Sequence, residues 1–309
     1  DLHKGYRRQR QMCIRDRTYL ASVSCVSTTF CMAVGRDWDG TQSRTVAERW
    51  DGTAWTVVPT VNPGSGSQYN DFSAVSCVST TDCTAVGRFV NGSGNEVTLV
   101  ERWNGSAWSV VSSPNPSGGG SHLRSVSCLS SSDCTAVGTQ SVGVLDTTLI
   151  ERWDGTTWSI VASPSPGTSL NHLLSVSCVA ATDCTAVGVR SDGSGFETLI
   201  EHWDGSAWTV ASSPNPSSFP WNVLNSVTCR SASDCTAVGD HDNGTHVATL
   251  ILHWDGTVWS TVASPSLGTG WNELTSISCV SATDCTAVGN YDDGTRGATL
   301  VVRSVDPTP

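Results

Sequence analysis

One passage of about 50 residues recurs six times along this 309-residue chain. Each copy reads, with substitutions, Ser-Val-Ser-Cys, five residues, Cys-Thr-Ala-Val-Gly, a variable stretch, then Thr-Leu-Ile-Glu-Arg-Trp-Asp-Gly-x-x-Trp. The first cysteines of the copies, Cys25, Cys77, Cys128, Cys178, Cys229 and Cys279, stand 52, 51, 50, 51 and 50 residues apart. That is the period of a four-stranded propeller blade, and a unit this small needs its neighbours to bury its faces. The predicted fold is all-β, a six-bladed β-propeller of four-stranded antiparallel blades. The units begin near residues 22, 74, 125, 175, 226 and 276, and the last stops after Thr299-Leu300-Val301-Val302-Arg303, one strand short.

Within a unit, the third copy shows the strands most plainly. Ser125 to Cys128, Cys134 to Gly138, Thr148 to Trp153 and Trp158 to Val161 are each rich in Val, Ile, Thr or Trp and bounded by turn residues. Asp-Gly between the two tryptophans turns the last hairpin, because both residues tolerate the positive φ of a tight turn. The tryptophan pairs Trp50/Trp55, Trp103/Trp108, Trp153/Trp158, Trp203/Trp208 and Trp254/Trp259 supply large apolar area for blade-to-blade packing. Pieces such as Ser113-Pro114-Asn115-Pro116 carry the chain from one blade to the next.

Twelve of the 13 cysteines form six Cys-x5-Cys pairs: Cys25/Cys31, Cys77/Cys83, Cys128/Cys134, Cys178/Cys184, Cys229/Cys235 and Cys279/Cys285. Each pair flanks a short polar loop between β-type residues, so its members can face each other across a hairpin as a disulfide that acts as a local staple. Zinc would need four ligands in tetrahedral range, which neither the spacing nor nearby histidines supply. Disulfides imply an oxidising compartment, extracellular or at the cell surface.

Residues 1–17 do not belong to the repeat. They hold the single lysine, Lys4, and Arg7, Arg8, Arg10, Arg15 and Arg17, and they read as a non-native or disordered leader before a propeller domain at 18–309. Of the chain's 17 basic and 28 acidic residues, six basic and two acidic lie in this leader, leaving 11 against 26 in the repeats. So acidic a body does not neutralise phosphates, which argues against nucleic acid as a partner. No apolar run reaches the 18 or so residues of a membrane helix, so no membrane span is expected.

The units resemble secreted bacterial β-propeller repeats over residues 18 to 303. Their Trp-Asp-Gly-x-x-Trp hairpin is similar to the Asp-box of sialidase-type propellers, although that box carries Ser two residues before its Asp, where this chain has Arg49, Arg102 and Arg152. The Glu101-Arg102-Trp103 triplet is similar in composition to the Arg, Glu and aromatic sets of six-bladed fucose lectins. The resemblance implies the fold and a lectin-like, carbohydrate-binding possibility.

Comparison of the six copies places variation in the loops from strand four to the next strand one and from strand two to strand three, which emerge on one face. The first set carries Tyr69-Asn70, Trp221-Asn222 and Trp271-Asn272, with His122 and His172 one position later in their units. An aromatic face beside an amide suits a sugar ring, and the same aromatics also suit packed lids over the blades. The second set is acidic: Asp37 and Asp39, Asp240 and Asp242, Asp292 and Asp293. Spaced carboxylates ending in Gly could take Ca²⁺, but a hairpin turn uses the same residues and is the favoured reading, so no cofactor is expected. No nucleophile elbow or catalytic His cluster is present, and no unit offers a unique charged constellation, so the chain is expected not to be an enzyme. The expected partner is a glycan or surface polymer bound by the loop face; the alternatives are a protein-protein interaction scaffold or surface structural protein and, behind these, a sialidase-like glycoside hydrolase.

Overall fold

The computed structural model describes residues 18–63, 69–116, 119–216, 221–267, 269–281 and 284–303; the leader reading falls outside these residues. The described residues are all-β, without a helix. The first unit runs β1 (Thr18–Ser27), β2 (Phe30–Trp38), β3 (Ser43–Trp50) and β4 (Trp55–Val58). The second runs β5 (Asn70–Ser79), β6 (Asp82–Val90), β7 (Glu96–Trp103) and β8 (Trp108–Val110), and the third β9 (Ser121–Ser130), β10 (Asp133–Val142), β11 (Leu145–Trp153) and β12 (Trp158–Ile160). The fourth holds β13 (Leu170–Ala180), β14 (Asp183–Ser191), β15 (Glu197–Trp203) and β16 (Trp208–Val210). The fifth holds β17 (Asn222–Ser231), β18 (Asp234–Asp242), β19 (Val247–Trp254) and β20 (Trp259–Val262), and the chain ends with β21 (Asn272–Ser281), β22 (Asp284–Asp292) and β23 (Gly297–Arg303).

Each unit is an antiparallel meander in sequence order, and the third and fourth units join into one sheet through a parallel pair between Asp146 and Leu170. The strands are longer than the sequence cores, because pairing continues past the repeated residues into the variable loops. The Asp-Gly turn forms as read. Asp154 Oδ1 accepts from Thr156 N, Thr156 Oγ1 and Thr157 N at 2.7 to 2.8 Å, while Gly155 takes φ 96°.

All six cysteine pairs are disulfides between register partners: Cys25–Cys31, Cys77–Cys83, Cys128–Cys134, Cys178–Cys184, Cys229–Cys235 and Cys279–Cys285, with Cα atoms 3.9 to 4.0 Å apart. The bridges join the two strands of each hairpin as the spacing predicts, and the second member of every pair, Cys31, Cys83, Cys134, Cys184, Cys235 and Cys285, is also buried. Cys83, Cys134, Cys184, Cys235 and Cys285 belong to the apolar clusters that join successive units. The reason is strand position. The second cysteine opens strand two, whose Cys-x-Ala-Val-Gly run is buried on both faces in the first five units and on one face in the last, whereas Cys25, Cys77, Cys128, Cys178, Cys229 and Cys279 lie near the end of strand one, where cover is thinner. Each bridge is a core element on one side and a hairpin staple on the other, its first cysteine half-buried in five units and exposed at Cys25.

Packing lies between units, in a propeller arrangement. Five core clusters each join two consecutive units: Val86 and Val100 of the second, for instance, pack on Leu123, Val126, Leu149, Trp153 and Trp158 of the third. The inner strands are also stitched together, Cys128 N donating to Ser76 Oγ at 3.1 Å and Cys178 N to Ser127 Oγ at 3.1 Å. The Ser-x-Ser of a copy thus supplies acceptors to the next unit. Both tryptophans of a copy serve packing, with rings 5.8 Å apart in Trp153/Trp158 and the Trp153 indole N–H donating to Ser131 O at 3.0 Å. The Glu-Arg-Trp triplet is spent on the same seams. Arg102 pairs with Asp82 at 2.8 Å and lies 4.9 Å from the Trp153 ring of the next unit, while Glu101 is fully buried.

A sixth seam is not formed among the described residues. Leu20, Val23 and Trp55 of the first unit are 43, 59 and 45% exposed, and Val301 of the last is 61% exposed, whereas Leu123, Val126, Trp158 and Ile150 at the same repeat positions are buried.

Candidate functional site

The site follows from one irregularity repeated in every copy. Between Leu123 and Ser125 the β9–β10 register slips, so Arg124 is bulged out of the ladder, and the same slip frees Ala21, Ser73, Leu174, Asn225 and Thr275. A bulge re-aims the extra side chain. Here it turns each of the six toward the axis around which the units are arranged, where they line a cavity of about 570 Å³ together with Tyr19, Arg36, Tyr69, Asp71, Phe72, Arg88, His122 and Glu273. Its wall is drawn from all six units, and the repeat is silent there because these positions differ in every copy.

The first three units build a basic wall. Arg36 and Arg88 each lie 3.9 Å from Asp71 Oδ2, and Arg88 Nη1 donates to both Glu96 oxygens at 2.9 Å. The Tyr69 hydroxyl donates to Asp71 Oδ2 at 3.0 Å, accepts from Arg36 and from Arg88 Nη2, and its ring lies 4.9 Å from the Arg88 guanidinium. Burial pushes the Asp71 carboxyl up despite these cations. His122 Nε2 sits 2.8 Å from Ser73 Oγ, and burial, with Arg124 and Arg88 nearby, holds its pKa down to about 2. His122 is therefore a neutral hydrogen-bonding ring. Arg124 has no carboxylate within ion-pair distance among the described residues, and its Nε is buried without a partner. The opposite wall holds Leu174, Asn225, Thr275 and Glu273, with Asn225 Nδ2 donating to Asp240 Oδ1 at 3.1 Å.

The residues singled out from the sequence divide. Tyr69 and His122 line the cavity. Asn70, Asn222 and Asn272 are buried, and their amides donate to Ser43 O, Phe196 O and Val247 O of the preceding unit, so they fasten units together. Asn171 does the same in the fourth unit, bonding Asp146 O at 3.1 Å. His172 faces Asp146 at 2.9 Å. Trp221 and Trp271 meet edge to face at 5.6 Å, with Phe196 against Trp221, in an aromatic cluster outside the cavity lining; Trp271 is 41% exposed.

Four of the acidic residues, Asp39, Asp242, Asp292 and Asp293, cap turns, whereas Asp37 and Asp240 sit within strands and bond across to neighbours. Asp39 Oδ1 accepts from Thr41 and Gln42, Asp293 Oδ1 from Thr295 and Arg296, Asp242 from Gly244 N and Asp292 from Gly294 N, while Asp37 takes Thr18 Oγ1. Asp240 accepts from the Trp221 indole at 2.5 Å, and burial lifts its pKa to about 6. No group of three or more His, Cys, Asp or Glu placed to hold a metal occurs among the described residues.

Sequence reading missed Arg36, Arg88, Arg124, Asp71 and Glu273 because it sought variation in loops rather than on the inner strand. A signal was present. Glycine inside a strand marks a bulge or close backbone approach, and every copy places one at the end of its Cys-x-Ala-Val-Gly run.

No family model and no curated protein sequence matches the chain. Solved structures of similar fold include a GH74 xyloglucanase from Xanthomonas campestris (TM-score 0.60, 9% identity, 90% of this chain and 46% of that one). A protein of unknown function from Dyadobacter fermentans gives TM-score 0.59 at 13% identity, covering 94% and 95%. YCF48 bound to D1 peptide gives 0.53 at 14%, covering 92% and 81%. These likenesses support the propeller fold, on which both enzymes and protein-binding modules are built.

Proposed function

We propose that this chain is a secreted, non-enzymatic binding propeller whose six units act as blades and whose ligand enters the central cavity, a glycan being the favoured ligand class. The observation that carries the reading is the bulge. Six copies of one structural sentence keep the cysteines, the Ala-Val-Gly run and the Trp-turn-Trp hairpin largely constant and vary what the bulge turns inward, the pattern of a fixed frame presenting a specific site. Six disulfides suit an oxidising, extracellular setting. A polar cavity wall of guanidinium, amide, hydroxyl and carboxylate groups is matched to hydroxyl-rich ligands more than to apolar ones.

The test is a glycan and peptide array probed with the disulfide-bonded chain. Selective glycan binding lost in Arg36→Gln supports the reading; a blank glycan field beside peptide binding replaces it with a protein scaffold, the partner class that YCF48 exemplifies. A hydrolytic reading draws on one observation, Tyr69 donating to Asp71 beside two arginines. Turnover of chromogenic glycosides that disappears in Tyr69→Phe would establish that alternative.

A further inference from the structure

Among the described residues, six arginines outside the cavity are each matched with a carboxylate. Arg44 pairs with Asp39, Arg102 with Asp82, Arg152 with Asp133, Arg190 with Glu197, Arg230 with Asp234 and Arg303 with Asp284; Arg49 and Arg296 stand outside both this set and the cavity. The cavity departs from that pattern by concentration. Arg36, Arg88 and Arg124, from three successive units, converge on one wall that offers Asp71 and Glu96 in return, and Arg124 is left without an acid at pairing distance. The Nε of Arg124 is buried and unbonded, as are those of Arg88 in the same wall and Arg49 outside it. Among the described residues, Arg124 alone of the three cavity arginines also lacks a carboxylate at pairing distance, and a charged donor withdrawn from water needs a replacement acceptor. The pressure on it shows in its surroundings: burial and the neighbouring Arg88 disfavour the Arg124 charge, and the more distant Asp71, Asp146 and Glu96 offset them only in part.

Resting on the cavity as the binding site, we infer that its ligand carries a carboxylate that docks on the Arg124 side of this wall, and that the carboxylate belongs to an acidic sugar. A planar guanidinium presents two parallel N–H donors to a carboxylate, a geometry that an ammonium cannot copy. The uncharged His122 ring next to it adds hydrogen-bonding capacity without a second fixed charge, and its Nδ1 is likewise buried and unbonded. Across the cavity Asn225 Oδ1, Thr275 Oγ1 and the Glu273 carboxylate supply acceptors for ring hydroxyls, the Asn225 amide and Thr275 hydroxyl hydrogens being donated to Asp240, Leu274 O and Val288 O. The body's charge narrows the ligand further. With 11 basic against 26 acidic residues in 18–309, the protein repels a polyanion at long range, so the fitting ligand is a single acidic sugar ending an otherwise neutral glycan.

The test titrates the disulfide-bonded chain by NMR or calorimetry with methyl glucuronide, methyl N-acetylneuraminide and methyl glucoside. At least one acidic sugar should bind at least about tenfold more tightly than the glucoside, the discrimination expected when one charge-assisted pair is made or lost. Arg124→Gln should erase that preference with the melting curve retained, and Arg124→Lys should restore only part of it. Equal binding of acidic and neutral sugars would overturn the carboxylate inference and leave the binding-module reading standing. Binding of none of the three sugars, with or without binding of an acidic peptide, would overturn it as well, and an array that is also blank would remove the module reading with it.

Discussion

Gly138 lies against the carbonyl of His122, so near that a Cβ at position 138 would fall 1.9 Å from that oxygen. The contact is the underside of the bulge that turns Arg124 inward, and it recurs at Gly35, Gly87, Gly188, Gly239 and Gly289. Gly138→Ala must push the two strands apart or flatten the bulge. We expect a loss of about 3 kcal/mol in denaturant unfolding, at the upper end of overpacking costs, together with loss of ligand binding. A silent Gly138→Ala would mean that the bulge does not position Arg124.

The unformed sixth seam makes one repeat position behave in two ways. Leu123 is fully buried between the second and third units and Leu20 is 43% exposed. Leu123→Ala should cost about 2–5 kcal/mol, and Leu20→Ala less than about 1 kcal/mol. Equal costs in urea titrations would show that the first and last units pack on each other in solution.

Glu101, Glu151 and Glu201 are fully buried in successive units, and burial raises each pKa from 4.5 to about 8. The folded protein holds these protons where the unfolded chain has released them. Their contribution is complete below pH 4.5 and is lost as the pH climbs to about 8. Melting temperature should therefore fall across that window. The triple change to Gln should flatten the decline, sparing on the order of 1 kcal/mol or more per carboxyl at pH 9. Superimposable pH profiles for the two proteins would contradict the assignment.

The disulfides staple hairpins of six-residue separation, so each restrains the unfolded chain by only about 2 kcal/mol. Replacing Cys128 and Cys134 together by Ala should leave a folded protein with a lowered melting temperature, the buried Cys134 adding a small packing loss to the lost restraint. Full reduction removes six such restraints, on the order of the whole stability of a domain, and should unfold it. A reduced protein with an unchanged far-UV spectrum and melt would refute this account of the staples.

The repeat made the architecture legible, because period, paired cysteines and the Asp-Gly turn each express a local rule that the structure keeps. Which cysteine of a pair enters the core was not legible, since burial depends on the neighbouring unit and both members sit beside the same polar loop. The backbone bonds of Asn70, Asn222 and Asn272 were not legible for a physical reason: beside an aromatic at a loop end, an amide that bonds a neighbouring backbone reads the same as one that waits for a ligand. Arg124 was hidden differently. Alternation along strand one assigns every side chain to a sheet face, and only a register slip, which the recurring glycine hints at without locating, releases a residue toward the axis. Arg36 and Arg88 gain meaning only when Tyr69 and Asp71 are brought beside them.

The central claim, that recognition occurs in the cavity rather than on the loop aromatics, is tested most directly by probing one glycan array with the wild type, Arg124→Gln and Trp271→Ala. The account predicts that Arg124→Gln abolishes the wild-type signal and that Trp271→Ala keeps it. Loss in Trp271→Ala with retention in Arg124→Gln would contradict the account and return the site to the loop face.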